Sequence, residues 1–323
     1  MALLSFERSL LLLIINAILL TSTTQCSRTR RVEDVQVVTA DIDNFWAAYP
    51  AAMRDTALAY HVFEQQYFAK GSPGLLDYYQ RRYQSNPVLF ARRITKRPQY
   101  YASARHNQKT VGEQKPQILA ALRRLQALYP PIRFNHIYFL IGGFSGSTAQ
   151  PPGLLIGTEH VANGPDIDFS ELTLVERNRS GLAADMPYIV THEMIHNVQQ
   201  RAQTNLLCYA TREGMADFIA ELLTGSLGTN ARLHIYGNAH EQELWLAFKQ
   251  DMLGSNTKNW LANSAQETPE KPCDLGYYVG YKICQAYYSK ATNKQQAVRD
   301  MLTTKDFIEF LQKSGYEEKM SQF

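Results

Sequence analysis

Neither sign of charge dominates this chain. Its 33 lysines and arginines stand against 30 acids, and the net charge of +3 argues against nucleic acid as a partner. Internal repeats and low-complexity tracts are missing. With 45% hydrophobic and 20% charged residues, the composition is neither disordered nor fibrous, and 323 residues suffice for a substantial core in one large domain or two unequal ones. Long apolar runs are scarce too. The main one, Leu10 to Leu20, follows Arg8 and is too short to span a bilayer comfortably. Small, polar Thr21 to Thr24 come next, which is signal-peptide anatomy, so residues 1–26 are expected to direct export to the periplasm or to a lipid anchor on the cell envelope.

Cysteine is sparse, at four residues. Cys26 is a candidate for lipid attachment and hence for membrane association, although Thr23, Thr24 and Gln25 make a poor version of the small-residue motif that precedes such a cysteine. Cys208, Cys273 and Cys284 then remain, which permits at most one internal disulfide, with Cys208 and Cys273 as the favoured pair or three buried thiols as the alternative.

What is present begins with helices. From residue 27 to 130 the pattern is mostly helical, with Phe45, Trp46 and Tyr49, then Ala57, Leu58, His61, Val62 and Phe63 spaced as apolar faces. Gly71 to Gly74 interrupts it, and Pro116 to Tyr129 forms a further helix carrying Ile118, Leu122 and Leu125. Between Arg81 and Arg133 there are twelve lysines and arginines and a single acid, Glu113. This bias suits a solvated basic surface, or else an acidic substrate or an anionic membrane face.

The stretch with the most chemistry is Thr191-His192-Glu193-Met194-Ile195-His196. Histidines four apart on a helix lie on one face, where their ring nitrogens can converge on a zinc ion. Glu193 is turned by about 100° from that face and is within reach of a water on the ion, the position of a general base. Ile189, Val190, Met194, Ile195 and Val198 give the periodicity of a buried helix; Asp185 is an acceptable cap and Pro187 fits the first turn. The competing reading is a pair of satisfied core histidines.

A catalytic zinc usually takes three protein ligands and keeps one position open. A metzincin continuation is excluded, since Gln199 and Ala202 stand where its glycine and third histidine belong. Downstream, Arg212 to Glu221 reads as a second helix that stops at Gly225. Glu213, seventeen positions after His196, is the candidate third ligand, with small Gly214, Ala216 and Ala220 permitting close approach of the helices. Asp217, one turn later, would accept the free N–H of a ligating histidine. The alternative is a solvated acidic stripe of Glu213, Asp217 and Glu221.

These two stretches, T-H-E-M-I-H-N-V-Q-Q and R-E-G-M-A-D-F-I-A-E-L, resemble the gluzincin metallopeptidases, whose pattern is H-E-x-x-H followed by E-x-x-x-D. More narrowly, Ile137 to about Tyr316 resembles an uncharacterised bacterial family of predicted zinc-dependent proteases, to which gliding-motility lipoproteins are related. Its landmarks are I-Y-F-L-I-G-G-F, G-L-L-I-G, the histidine motif, R-E-G-M-A-D-F, H-E-Q-E-L-W and L-G-Y-Y-V-G-Y. The resemblance implies zinc on His192, His196 and Glu213, Glu193 as base and a supporting role for Asp217. The gap from second histidine to glutamate is shorter than in thermolysin-like enzymes, so their cleft does not transfer.

His136 to Phe144 and Gly153 to Gly157 read as strands that pair in a small sheet packed on the motif helix. Ala162 to Ala184 is polar and irregular, a candidate lid. His240 is the first candidate to stabilise a developing oxyanion, with Tyr277 and Tyr281 next. From Lys282 onward the chain is helical. The expected fold is α+β, mainly α, with a zincin-like domain over 131–323. The expected function is an exported zinc-dependent metallopeptidase acting on a peptide or protein. The alternatives are a non-catalytic zinc-binding envelope or motility lipoprotein, and a zinc hydrolase of non-peptide amides.

Overall fold

The computed structural model describes residues 28–322 apart from 151 and 200–203, so the leader over 1–26 and Cys26 lie outside the described residues. Two short strands, β1 (Arg28–Thr29) and β2 (Val37–Val38), precede six helices: α1 (Ala40–Arg54), α2 (Ala59–Gln66), α3 (Pro73–Tyr83), α4 (Pro87–Thr95), α5 (Pro98–Lys109) and α6 (Lys115–Leu128). Three of them begin on proline, whose fixed φ suits the first helical position and whose missing N–H has no intrahelical partner there to lose. Aromatic residues at helical spacing fuse these helices into one core. Phe45 of α1 stacks on Phe63 of α2 with ring centroids 5.6 Å apart, and both meet Phe90 of α4 edge-on. Leu58, expected on that apolar face, is instead 50% exposed, because α2 begins one residue after it.

The sheet follows: β3 (Phe134–Leu140), β4 (Thr148–Gln150) and β5 (Gly153–Gly157). β3 and β5 are fully buried and pair in parallel, Ile137 opposite Leu154. β4 folds back antiparallel on β5 and forms the edge, while β1 and β2 both line the other side of β3. The first expected strand therefore ends at Leu140. Gly143, Phe144 and Gly146 have positive φ, which takes residues 141–147 out of the sheet as a loop.

Past a short helix α7 (Leu174–Asn178) come α8 (Met186–His196), α9 (Leu206–Thr224), α10 (Ala231–Ala239), α11 (Glu241–Asp251), α12 (Leu275–Lys290), α13 (Lys294–Thr303), α14 (Phe307–Ser314) and α15 (Tyr316–Met320). The fold is α+β and mainly α. Helix α8 carries the histidine motif and packs on the sheet. Asp185 stands at its N-cap position but does not cap it; its carboxylate turns back to accept from Leu182 N at 2.8 Å. Helix α9 ends at Gly225, φ 75°, as expected.

Two sequence expectations change here. Ala162 to Ala184 is not a free lid but a strap pinned at several points. Arg97 pairs with Glu176 at 2.8 Å, the backbone N–H groups of Gln99 and Tyr100 donate to Glu171, and Asn107 donates to the carbonyls of Ala162 and Asn163. The Cys208–Cys273 disulfide is also absent: Cys208, Cys273 and Cys284 are free, buried thiols. Cys208 sits in the first turn of α9, whereas Cys273 is held beside Arg179.

Gly214 does not serve the approach of α9 to α8. It faces α12, where a Cβ would come within 1.9 Å of Tyr281 N, and a Cβ on Gly280 would come equally close to Ala210 O. The two helices thus touch backbone to backbone. Gly214→Ala is expected to destabilise the protein by about 3 kcal/mol or more in denaturant titration. Gly112→Ala, whose new carbon would meet nothing nearer than Thr39 Cγ2 at 3.6 Å, should cost far less.

Candidate metal centre

Helices α8 and α9 bring His192, His196 and Glu213 together, with one potential ligand atom from each lying within 4.8 Å of the others. The two Nε2 atoms are 3.0 Å apart, and Glu213 Oε2 is 3.2 Å from that of His196 and 3.6 Å from that of His192. Tetrahedral zinc with bonds of about 2.0–2.1 Å separates its ligand atoms by about 3.3 Å. The three observed edges bracket that value, so the triangle fits one such ion.

Ring orientation is set from behind. Asp217 is fully buried and accepts three hydrogen bonds, from Tyr188 Oη at 2.5 Å, His192 Nδ1 at 2.7 Å and Asn230 Nδ2 at 2.9 Å. A carboxylate can only accept, so the Nδ1 of His192 carries the hydrogen and its Nε2 points into the triangle. Gln199 does the same for His196. Its amide nitrogen donates to Arg212 O at 2.7 Å, which turns its oxygen toward His196 Nδ1 at 3.0 Å. Asp217 thus lies behind the His192 ring, and its full burial sets it apart from a solvated acidic stripe.

The electrostatics point the same way. Burial disfavours the charged form of His192, yet Asp217 and Glu213 outweigh it and hold the ring's pKa well above the ordinary histidine range. His196 is also raised, with Glu213 overcoming burial. Burial alone would raise the Glu213 carboxyl; the two histidines hold it well below the usual range instead. Two carboxylates and two imidazoles at these distances require positive charge among them, which a proton or a metal cation can supply.

Beside the triangle lies a cavity of about 290 Å³, onto which His192, Glu193 and Tyr277 face. Tyr277 comes from the first turn of α12 and lies parallel to the His192 ring, centroids 6.2 Å apart. Burial first, then Glu213, push its phenol well above 10, so it is a neutral donor. The other two oxyanion candidates stand elsewhere. His240 stacks on Tyr236, bonds to Tyr236 O at 2.9 Å and lines a neighbouring groove. Tyr281 donates to Glu221 and packs against His234 and Phe218.

Sequence reasoning missed several supports. Tyr188, one turn before His192, and Gln199, three residues after His196, had a positional signal; Asn230, beyond Gly225, had none. The loop at 142–147 is clamped by Tyr78 to Gly146 O, Tyr83 to Gly142 O, Arg82 to Ser147 O and Arg93 to Gly143 O. Part of the expected basic surface is therefore spent on holding this cavity wall.

The sequence model of one protein family, described as gliding motility protein GldB, matches residues 25–318. This supports the gliding-motility relation read from the sequence and speaks for no protease family. No curated protein and no solved structure matches the chain.

His192→Ala is expected to lose stoichiometric zinc by elemental analysis; unchanged zinc content would contradict the ligand set. Asp217→Asn should keep the site but weaken zinc roughly 10–100-fold in a chelator competition, as loss of such a partner typically does.

Proposed function

The chain belongs to the gliding motility protein GldB family, and from that premise we propose that it is an exported, lipid-anchored envelope protein that binds zinc through His192, His196 and Glu213 and hydrolyses peptide bonds. The observation that carries the hydrolytic part is Glu193, a carboxylate that faces the cavity beside the triangle while making no part of it. A purely structural site has no use for such a group. Among the described residues no helix is long and apolar enough to cross a membrane, which is compatible with attachment through Cys26.

Zinc, when bound, would supply Lewis acidity toward a water and the scissile carbonyl. Glu193 accepts the proton of the attacking water and returns it to the leaving amine. Tyr277 donates to the carbonyl oxygen as negative charge develops there. Asp217 and Gln199 keep both imidazoles in the tautomer whose Nε2 faces the ion. Residues Gly146 and Ser147 line the cavity and lead into edge strand β4, which favours a substrate that adds to the sheet in extended form.

Family membership favours a second reading, that of a motility component whose zinc is structural, over a peptidase. The two part at Glu193. Digestion of a peptide library with and without a chelator is expected to show zinc-dependent cleavage. Glu193→Gln should retain the metal while activity falls about 100-fold or more. Full activity in that variant would remove Glu193 from the mechanism, and absence of chelator-sensitive cleavage by the parent protein would leave the structural reading.

A further inference from the structure

The cavity that His192 and Glu193 face also exposes Arg179, the residue that caps α7. One of its terminal nitrogens, Nη2, is committed: it donates to Asp274 Oδ2 and lies 3.5 Å from Cys273 Sγ. Asp274 is in turn fixed, only 8% exposed and in the left-handed region at φ 61°, with its backbone N–H donating to Asn263 Oδ1 at 2.7 Å. A non-glycine residue in that conformation persists only where its surroundings hold it. Arginine offers five donors in a planar fork. No described group accepts from the Nε or Nη1 of Arg179, and its side chain is 38% exposed.

Arg179 and Arg232 each have one carboxylate partner, but Arg232 is the less open of the two, with its side chain 20% exposed. Arg232 spends Nη1 on both oxygens of Glu267, at 2.9 and 3.1 Å. His160, pulled by burial to about 4, is uncharged near neutrality. Glu193 stands beside the histidines. Arg179, His192 and Glu193 line the same cavity of about 290 Å³, just under the usual span of small-molecule clefts, roughly 300–1,000 Å³, so a ligand that fills it meets the guanidinium as well as His192 and Glu193.

We propose that Arg179 binds a carboxylate of the substrate, so that the bond presented to Glu193 lies next to an acidic group, either a C-terminal carboxylate or an aspartate or glutamate side chain. The inference rests on reading the cavity as the substrate site. A planar guanidinium recognises a carboxylate through paired, charge-assisted hydrogen bonds, and Asp274 holds this one in register for it.

The test is binding to the zinc-loaded, full-length Glu193→Gln protein, so that turnover plays no part. N-acetyl-trialanine is compared with its C-terminal amide, and the amidated peptide acetyl-Ala-Ala-Glu-Ala with its glutamine counterpart. At least one acid is expected to bind tenfold or more tighter than its neutral partner; the pair that shows it identifies the source of the carboxylate. Arg179→Ala should abolish the difference, whereas a carboxylate that merely ligated the ion would keep its advantage. Because Arg179→Ala strands buried Asp274, the double variant Arg179→Gln with Asp274→Asn is measured beside it. Equal affinities for acids and amides, no binding of any of the four, or a preference that survives in both variants would overturn the proposal. An acid preference together with no cleavage by the parent protein would sink the hydrolytic reading and leave Arg179 as a carboxylate-binding site alone.

Discussion

Two imidazoles and a carboxylate cannot be held within 3.0 to 3.6 Å of one another without positive charge between them. That demand organises the second half of the molecule. Buried Asp217 adds a further negative charge behind His192, and three donors are needed to keep it there: the ring itself, Tyr188 and Asn230. Two of them stand one turn apart on α8 and the third precedes α10, so the carboxylate ties α8 and the segment entering α10 to α9. The cost of burying it is met by these hydrogen bonds and by positive charge on the His192 side, because no lysine or arginine reaches it among the described contacts.

The contact of α9 with α12 is the second constraint. Gly214 and Gly280 let the backbones meet, which brings the first turn of α12, and with it Tyr277, against the His192 ring. A side chain at Gly214 would move Glu213, its immediate neighbour, as well as the helix it leans on, and one at Gly280 would push on the same helix at Ala210 and Thr211. Packing and ligand geometry are therefore coupled through adjacent residues, and small residues there matter to the centre although they touch none of its atoms.

The N-terminal helices have a part in the same site. Tyrosine hydroxyls from α3 and arginines from α3 and α4 donate to four carbonyls at the two ends of the 142–147 loop, while buried Glu159 accepts from Gly143 N. The loop has few side chains large enough to hold itself, and its backbone groups would otherwise go unsatisfied. The chain before the sheet is thus a brace for the cavity wall. For a member of the gliding motility protein GldB family, this is an elaborate support for a site if that site merely stores a metal, and it agrees with the proposed chemistry.

Some of this was legible in the residues alone, for a physical reason. Helical periodicity places His192 and His196 on one face whatever else the chain does, glycine marks the end of α9 because few other residues take φ near 75°, and apolar runs between glycines gave β3 and β5. The local terms stop there. That Glu213 closes on the histidines, that Gly214 faces α12 rather than α8, that Tyr277 enters the cavity while His240 and Tyr281 do not, and that three thiols stay apart all depend on contacts between residues distant in sequence. No spacing encodes those contacts; they were decided by how helices and sheet pack to bury their apolar faces while leaving each buried polar group a partner.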